Sequence, residues 1–74
     1  MDGLGIGLLS VEAAGPNMVV VKTVPGLASA TTVRIDAAKL PGIVGTIAGE
    51  DTIFIAVEGE NKQRGVIKGL WELF

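Results

Sequence analysis

The sequence predicts an α+β fold: a two-layer α/β sandwich in the order β-β-α-β-β-α, with a four-stranded, mainly antiparallel sheet and two helices on one face. Three observations predict it. Apolar, largely β-branched residues gather in two pairs of short segments, each pair joined by a tight turn. Each pair is followed by a stretch in which apolar residues recur at three and four residues. Pro-Gly dipeptides at 25–26 and 41–42 separate strand from helix and helix from strand.

Leu4 to Ala13 reads as the first strand, with glycines at 3, 5 and 7 weakening its first half. Gly15-Pro16-Asn17 is a turn, and Met18 to Val24 is a strand of strong β-branched character. A helix is expected from Leu27 to about Lys39, with Leu27, Ala30, Val33, Ala37 and Leu40 as its core stripe, stopped by Pro41-Gly42. Ile43 to Ala48 and Thr52 to Val57 form the third and fourth strands around an acidic turn, Gly49-Glu50-Asp51. The last helix opens near Gly59, with Glu60 or Asn61 as its cap. Ile67, Leu70, Trp71 and Phe74 make its apolar stripe, and Lys62, Arg64 and Lys68 its solvated face. Gly65 and Gly69 lie one turn apart inside it, marking either close backbone packing or a helix that frays.

A chain of 74 residues is one domain, spanning 1–74, with room for one small core. It has no cysteine and no histidine, so disulfides and Cys/His metal sites are excluded. Nevertheless 49% of its residues are hydrophobic and its mean hydropathy is +0.56. In the strands, Val19 and Val21 oppose Met18 and Val20, and Ile53, Ile55 and Val57 oppose Phe54 and Ala56, so both sheet faces are apolar. Two helices cover one face; a second copy of the chain is the expected cover for the other. A net charge of −2 without a basic stripe argues against direct nucleic-acid binding. No apolar run reaches a membrane span, and no signal peptide is read at the N-terminus. The only serines, Ser10 and Ser29, have no histidine base, so the chain is not expected to be an enzyme.

Two places hold polar groups in patterns that suit a small cationic ligand. Glu50 and Asp51 are adjacent carboxylates, to which a planar guanidinium fits with paired hydrogen bonds; the same residues also describe an ordinary solvated turn. Ser29, Thr32 and Asp36 form a polar stripe on the first helix; Asp36 can accept from an ammonium group or pair with Lys39 or Lys22 on a solvated face. Gly45, Ala48 and Gly49 are small enough to let a ligand or another chain approach closely.

Gly45-Thr46-Ile47-Ala48-Gly49-Glu50-Asp51-Thr52 resembles the Gly-Thr-Ile-Ala-Gly-Asp-Asp-Thr signature of bacterial arginine repressors. Lys22-Thr23-Val24-Pro25-Gly26-Leu27-Ala28 resembles that family's Thr-x-Pro-Gly-x-Ala segment, Asp36 falls on a family aspartate, and Leu70-Trp71-Glu72-Leu73-Phe74 matches the family's ending. The resemblance covers about Leu4 to Phe74. It implies a C-terminal regulatory domain that forms trimers, two of which stack into a hexamer with the effector L-arginine between them. Carried over by position, Glu50 and Asp51 grip the cationic ligand, Asp36 binds its polar groups, and Ala28, Ser29, Thr46 and Ala48 line the pocket. The resemblance also implies transcriptional control of arginine genes in the cytoplasm. Operator DNA is engaged through an N-terminal winged helix expected to lie outside residues 1–74; no cofactor, metal or membrane is involved. Two positions depart from the family pattern: Glu50 replaces an aspartate and Ser29 replaces a glutamine. An oligomerisation module with altered or lost effector binding is the competing expectation.

Overall fold

A computed structural model describes residues 8–74; the expected strand residues Leu4–Gly7 lie outside the described part. Six elements follow in the expected order: β1 (Leu8–Ala13), β2 (Met18–Thr23), α1 (Ala28–Ala38), β3 (Ile43–Ala48), β4 (Thr52–Val57) and α2 (Glu60–Leu73). The sheet runs β1-β2-β4-β3 and every neighbouring pair is antiparallel. Two tight hairpins are thus zipped together along β2 and β4. Bulges lie between Leu8 and Ser10 and between Ile43 and Gly45, both in edge strands.

The register between β2 and β4 sets the core. Val19 lies opposite Ile55 and Val21 opposite Ile53. All four side chains are fully buried, together with Ile35 of α1 and Val66 and Leu70 of α2. Burying each such side chain contributes about 1.5–3 kcal/mol. The alternate residues Met18, Val20, Phe54 and Ala56 point to the other face, which no described element covers. Phe54 is 50% exposed and Ile47, its partner on β3, is 76% exposed. The two-sided apolar sheet read from the sequence is present.

Both helices sit rotated from the expected stripes. In α1 the buried face is Ala28, Thr31 and Ile35, whereas Val33 is 68% exposed, and Leu27, Ala30 and Ala37 are exposed as well. Apolar residues recur on both sides of this helix, so spacing alone does not select the buried side, and the buried one includes the polar Thr31. Leu40, beyond the helix end, does pack on the core. In α2 the buried face is Gln63, Val66 and Leu70. Ile67 and Phe74 pack at its margin, but Trp71 is 48% exposed rather than core, because it lies about 100° around the helix from Leu70. The α2 N-cap is Gly59, with no side-chain cap hydrogen bond; Glu60 lies in the first turn, where its charge favours the helix dipole.

Gln63 was not anticipated as a core residue. Its Nε2 donates to the backbone carbonyls of Met18, at 2.8 Å, and of Gly15, tying α2 to the β1–β2 turn. On that basis Gln63→Ala removes the amide donor of the Gly15 carbonyl and one of two donors to the Met18 carbonyl, which keeps the Ala14 N–H. It is expected to lower unfolding free energy by about 1–3 kcal/mol in urea denaturation. The two helix glycines separate clearly. A Cβ at Gly65 meets nothing within 4 Å, whereas one at Gly69 lies 3.2 Å from Leu40 Cδ2. Gly65→Ala is therefore expected to raise stability by about 0.5–1 kcal/mol by the same measurement, and Gly69→Ala to gain less or lose.

Candidate functional site

The acidic turn is held by its backbone, leaving its side chains exposed. Val24-Pro25-Gly26-Leu27 forms a turn closed by the Leu27 N–H on the Val24 carbonyl at 3.0 Å. Pro25 in its second position and Gly26 at φ 88° in its third are the marks of a type II turn. This turn aims the start of α1 at the β3–β4 connection. The N–H groups of Gly26 and Ala28 both donate to the Glu50 carbonyl, at 3.0 and 3.4 Å, and the Thr23 N–H donates to the Asp51 carbonyl at 2.8 Å. The Gly49 N–H closes the connection on the Thr52 carbonyl at 2.8 Å. Glu50 and Asp51 hold this turn without positive φ, and both side chains are exposed.

Two side-chain clusters stand on this frame. On one side, Thr46 Oγ1 of β3 donates to Asp36 Oδ1 of α1 at 2.8 Å. Asp36 therefore meets Thr46, and not Lys22 as one reading of the helix stripe had it. On the other side, Lys22 Nζ donates to Thr52 Oγ1 at 2.8 Å, and Thr52 Oγ1 donates to Asp51 Oδ1 at 2.9 Å. Lys22 and Thr52 are direct cross-strand partners on the uncovered face. The Lys22–Thr52 contact needs the β2–β4 pairing, which no local sequence signal encodes.

The expected site residues do not converge on one enclosed pocket. Ala28 is buried at the first position of α1, with Ser29 exposed beside it. Asp36 lines an open hollow of about 400 Å³ with Ile35, Lys39, Leu40 and Ile43. Thr46 lines an apolar hollow of about 340 Å³ on the uncovered face, with Met18, Ile47, Phe54 and Ala56. Ala48 lines a third, of about 250 Å³, with Gly49, Thr52 and Phe54. Among the described residues no group of three or more His, Cys, Asp or Glu could hold a metal ion. No described helix is long and apolar enough to cross a membrane.

Fold and site together define a small antiparallel α+β domain with an apolar uncovered sheet face and acidic side chains at one end. The family model for the arginine repressor C-terminal domain matches residues 6–71, and the chain belongs to that family, whose members are transcriptional repressors. An arginine repressor from Anaeromyxobacter sp. (strain Fw109-5) is 46% identical over 74 residues, covering 97% of this chain and 47% of the relative. One from Anaeromyxobacter sp. (strain K) is 49% identical over 67 residues, covering 90% and 42%. One from Clostridium novyi (strain NT) is 48% identical over 63 residues, covering 85% and 41%. The chain thus spans less than half the length of these relatives.

Proposed function

We propose that this chain is the arginine-sensing, oligomerising domain of a transcriptional repressor of arginine genes, acting in the cytoplasm. It functions as a single unit over residues 1–74, with operator DNA bound by a separate winged-helix domain. The observation that carries the reading is the division of the site. Asp36 is exposed in an open hollow between α1 and β3, and Glu50 and Asp51 are exposed in the connection between β3 and β4, at the end of a sheet whose outer face no described element covers. Copies that bury this face against one another bring such carboxylates into a common seam, where L-arginine supplies the missing positive charge. Glu50 and Asp51 take the guanidinium in paired, charge-assisted hydrogen bonds. Asp36, held by Thr46, receives its amino group. Ala28, Ser29, Thr46 and Ala48 give the walls. Trimers that pair into hexamers through this seam are stabilised by arginine because it binds the assembled state better than the separate one.

Sedimentation of the 7.6 kDa chain with and without millimolar L-arginine tests the reading. The expected result is a heavier, thermally more stable species with the ligand; assembly that is indifferent to arginine favours an oligomerisation module without effector. Glu50→Gln and Asp51→Asn are each expected to weaken arginine binding in calorimetry by about tenfold or more, the cost of losing a charged hydrogen bond. Ile47→Lys, at a side chain 76% exposed in the single chain, is expected to leave its circular dichroism unchanged while lowering the sedimenting mass.

A further inference from the structure

We infer that Thr52 is a positioning residue for the ligand: its hydroxyl aims the Asp51 carboxylate and holds the Lys22 ammonium away from it. The inference rests on the arginine reading above and adds to it a residue that touches no ligand.

The geometry assigns each proton. A threonine hydroxyl has one hydrogen to give and lone pairs to receive. Here it gives that hydrogen to Asp51 Oδ1 at 2.9 Å and receives one from Lys22 Nζ at 2.8 Å. An ammonium above the hydroxyl polarises it and strengthens the bond it donates to the carboxylate. Asp51 Oδ2 is left without a described partner, and the carboxylate faces outward with one oxygen fixed. The backbone on either side is equally constrained, by the Thr23 N–H on the Asp51 carbonyl and the Gly49 N–H on the Thr52 carbonyl.

Lys22 would otherwise be a competitor. It lies directly across the ladder from Thr52, on the uncovered face, and its four-carbon stem is flexible. Without the hydroxyl, its ammonium loses its acceptor one hydrogen bond away from the Asp51 carboxylate and is attracted to that charge. A lysine seated on Asp51 occupies the oxygens a guanidinium needs. Thr52 keeps that cation one hydrogen bond removed, so that the site's own positive charge does not fill the place of the ligand.

The test is calorimetric titration of L-arginine into the unsubstituted chain and into Thr52→Val, Thr52→Ser and Lys22→Met/Thr52→Val. Thr52→Val keeps the shape and loses the hydroxyl; it is expected to raise the arginine Kd by about tenfold, with the melting temperature of the ligand-free chain little changed. Thr52→Ser is expected to bind as the unsubstituted chain does. Removing Lys22 in the Thr52→Val background is expected to recover part of the loss. If Thr52→Val fails to fold, Thr52→Ala carries the same expectations. Binding that Thr52→Val leaves unchanged, a Thr52→Ser chain as weak as Thr52→Val, or a double variant no tighter than Thr52→Val overturns the inference while leaving the arginine reading standing. No binding by the unsubstituted chain overturns both.

Discussion

The pairing of β2 with β4 is the constraint on which the rest of this molecule depends. Because side chains alternate across a strand, a slip of one residue would exchange every inward residue for an outward one. The observed register sets Val19 against Ile55 and Val21 against Ile53, and so puts four fully buried β-branched side chains under the helices. The same register places Val20 beside Phe54 on the uncovered face, and Lys22 beside Thr52 at the edge of the acidic turn. Core, bare face and polar relay are thus consequences of one alignment. In most sheets with one solvated face such an alignment is protected by the polarity of the outer residues. Here the outer residues are apolar too, so the register is held by the tight hairpins, by the helices and by the Gln63 bonds to Gly15 and Met18.

A second coupling runs through backbone rather than side chains. The segment Thr23–Ala28 and the connection at Gly49–Thr52 are far apart in sequence, yet they share three hydrogen bonds through the Glu50 and Asp51 carbonyls. With those carbonyls satisfied internally, the Glu50 and Asp51 carboxylates stay at the surface, Asp51 accepting only the neighbouring Thr52 hydroxyl. On the proposed reading this arrangement suits a ligand site: the main chain supplies rigidity, while the charges stay at the surface.

What the sequence showed and what it concealed divide along a physical line. Strands, hairpins and the two apolar sheet faces were legible because short, β-branched apolar runs such as Ile53-Phe54-Ile55-Ala56-Val57, bounded by turn residues, are a local signal. The acidic turn was legible as the connection between two strands, and the family as a motif. Helix rotation was not legible. In α1, Leu27, Ala30 and Val33 offer as plausible a stripe as Ala28, Thr31 and Ile35, and only the surface of the sheet decides between them. In α2 a polar residue, Gln63, takes a core position because its amide finds two carbonyls there, while Trp71 stays half out. The Thr46–Asp36 and Lys22–Thr52 bonds were hidden for a related reason: each joins residues brought together only by the packed sheet and helix.

On the proposed reading, apolar burial and acidic repulsion oppose each other at the same seam, and their balance makes a sensor out of a sticky sheet. Apolar contact favours assembly whether or not ligand is present, at about 25 cal/mol per Å² buried. Carboxylates from neighbouring copies brought close together disfavour it, and their repulsion grows as water leaves the seam. A cation placed among them converts that cost into attraction, and a guanidinium does so with directed hydrogen bonds that a screening ion lacks. Glu50 carries the charge of the family's aspartate on a stem one methylene longer, so the electrostatic half of this balance is retained while its geometry shifts. Ser29 in place of a glutamine removes a neutral contact, which is the smaller loss, since a neutral hydrogen bond contributes about 1 kcal/mol and a charged one about 1.5–3 kcal/mol. On that reading the carboxylates, and the groups that aim them, are where the response of this chain is decided.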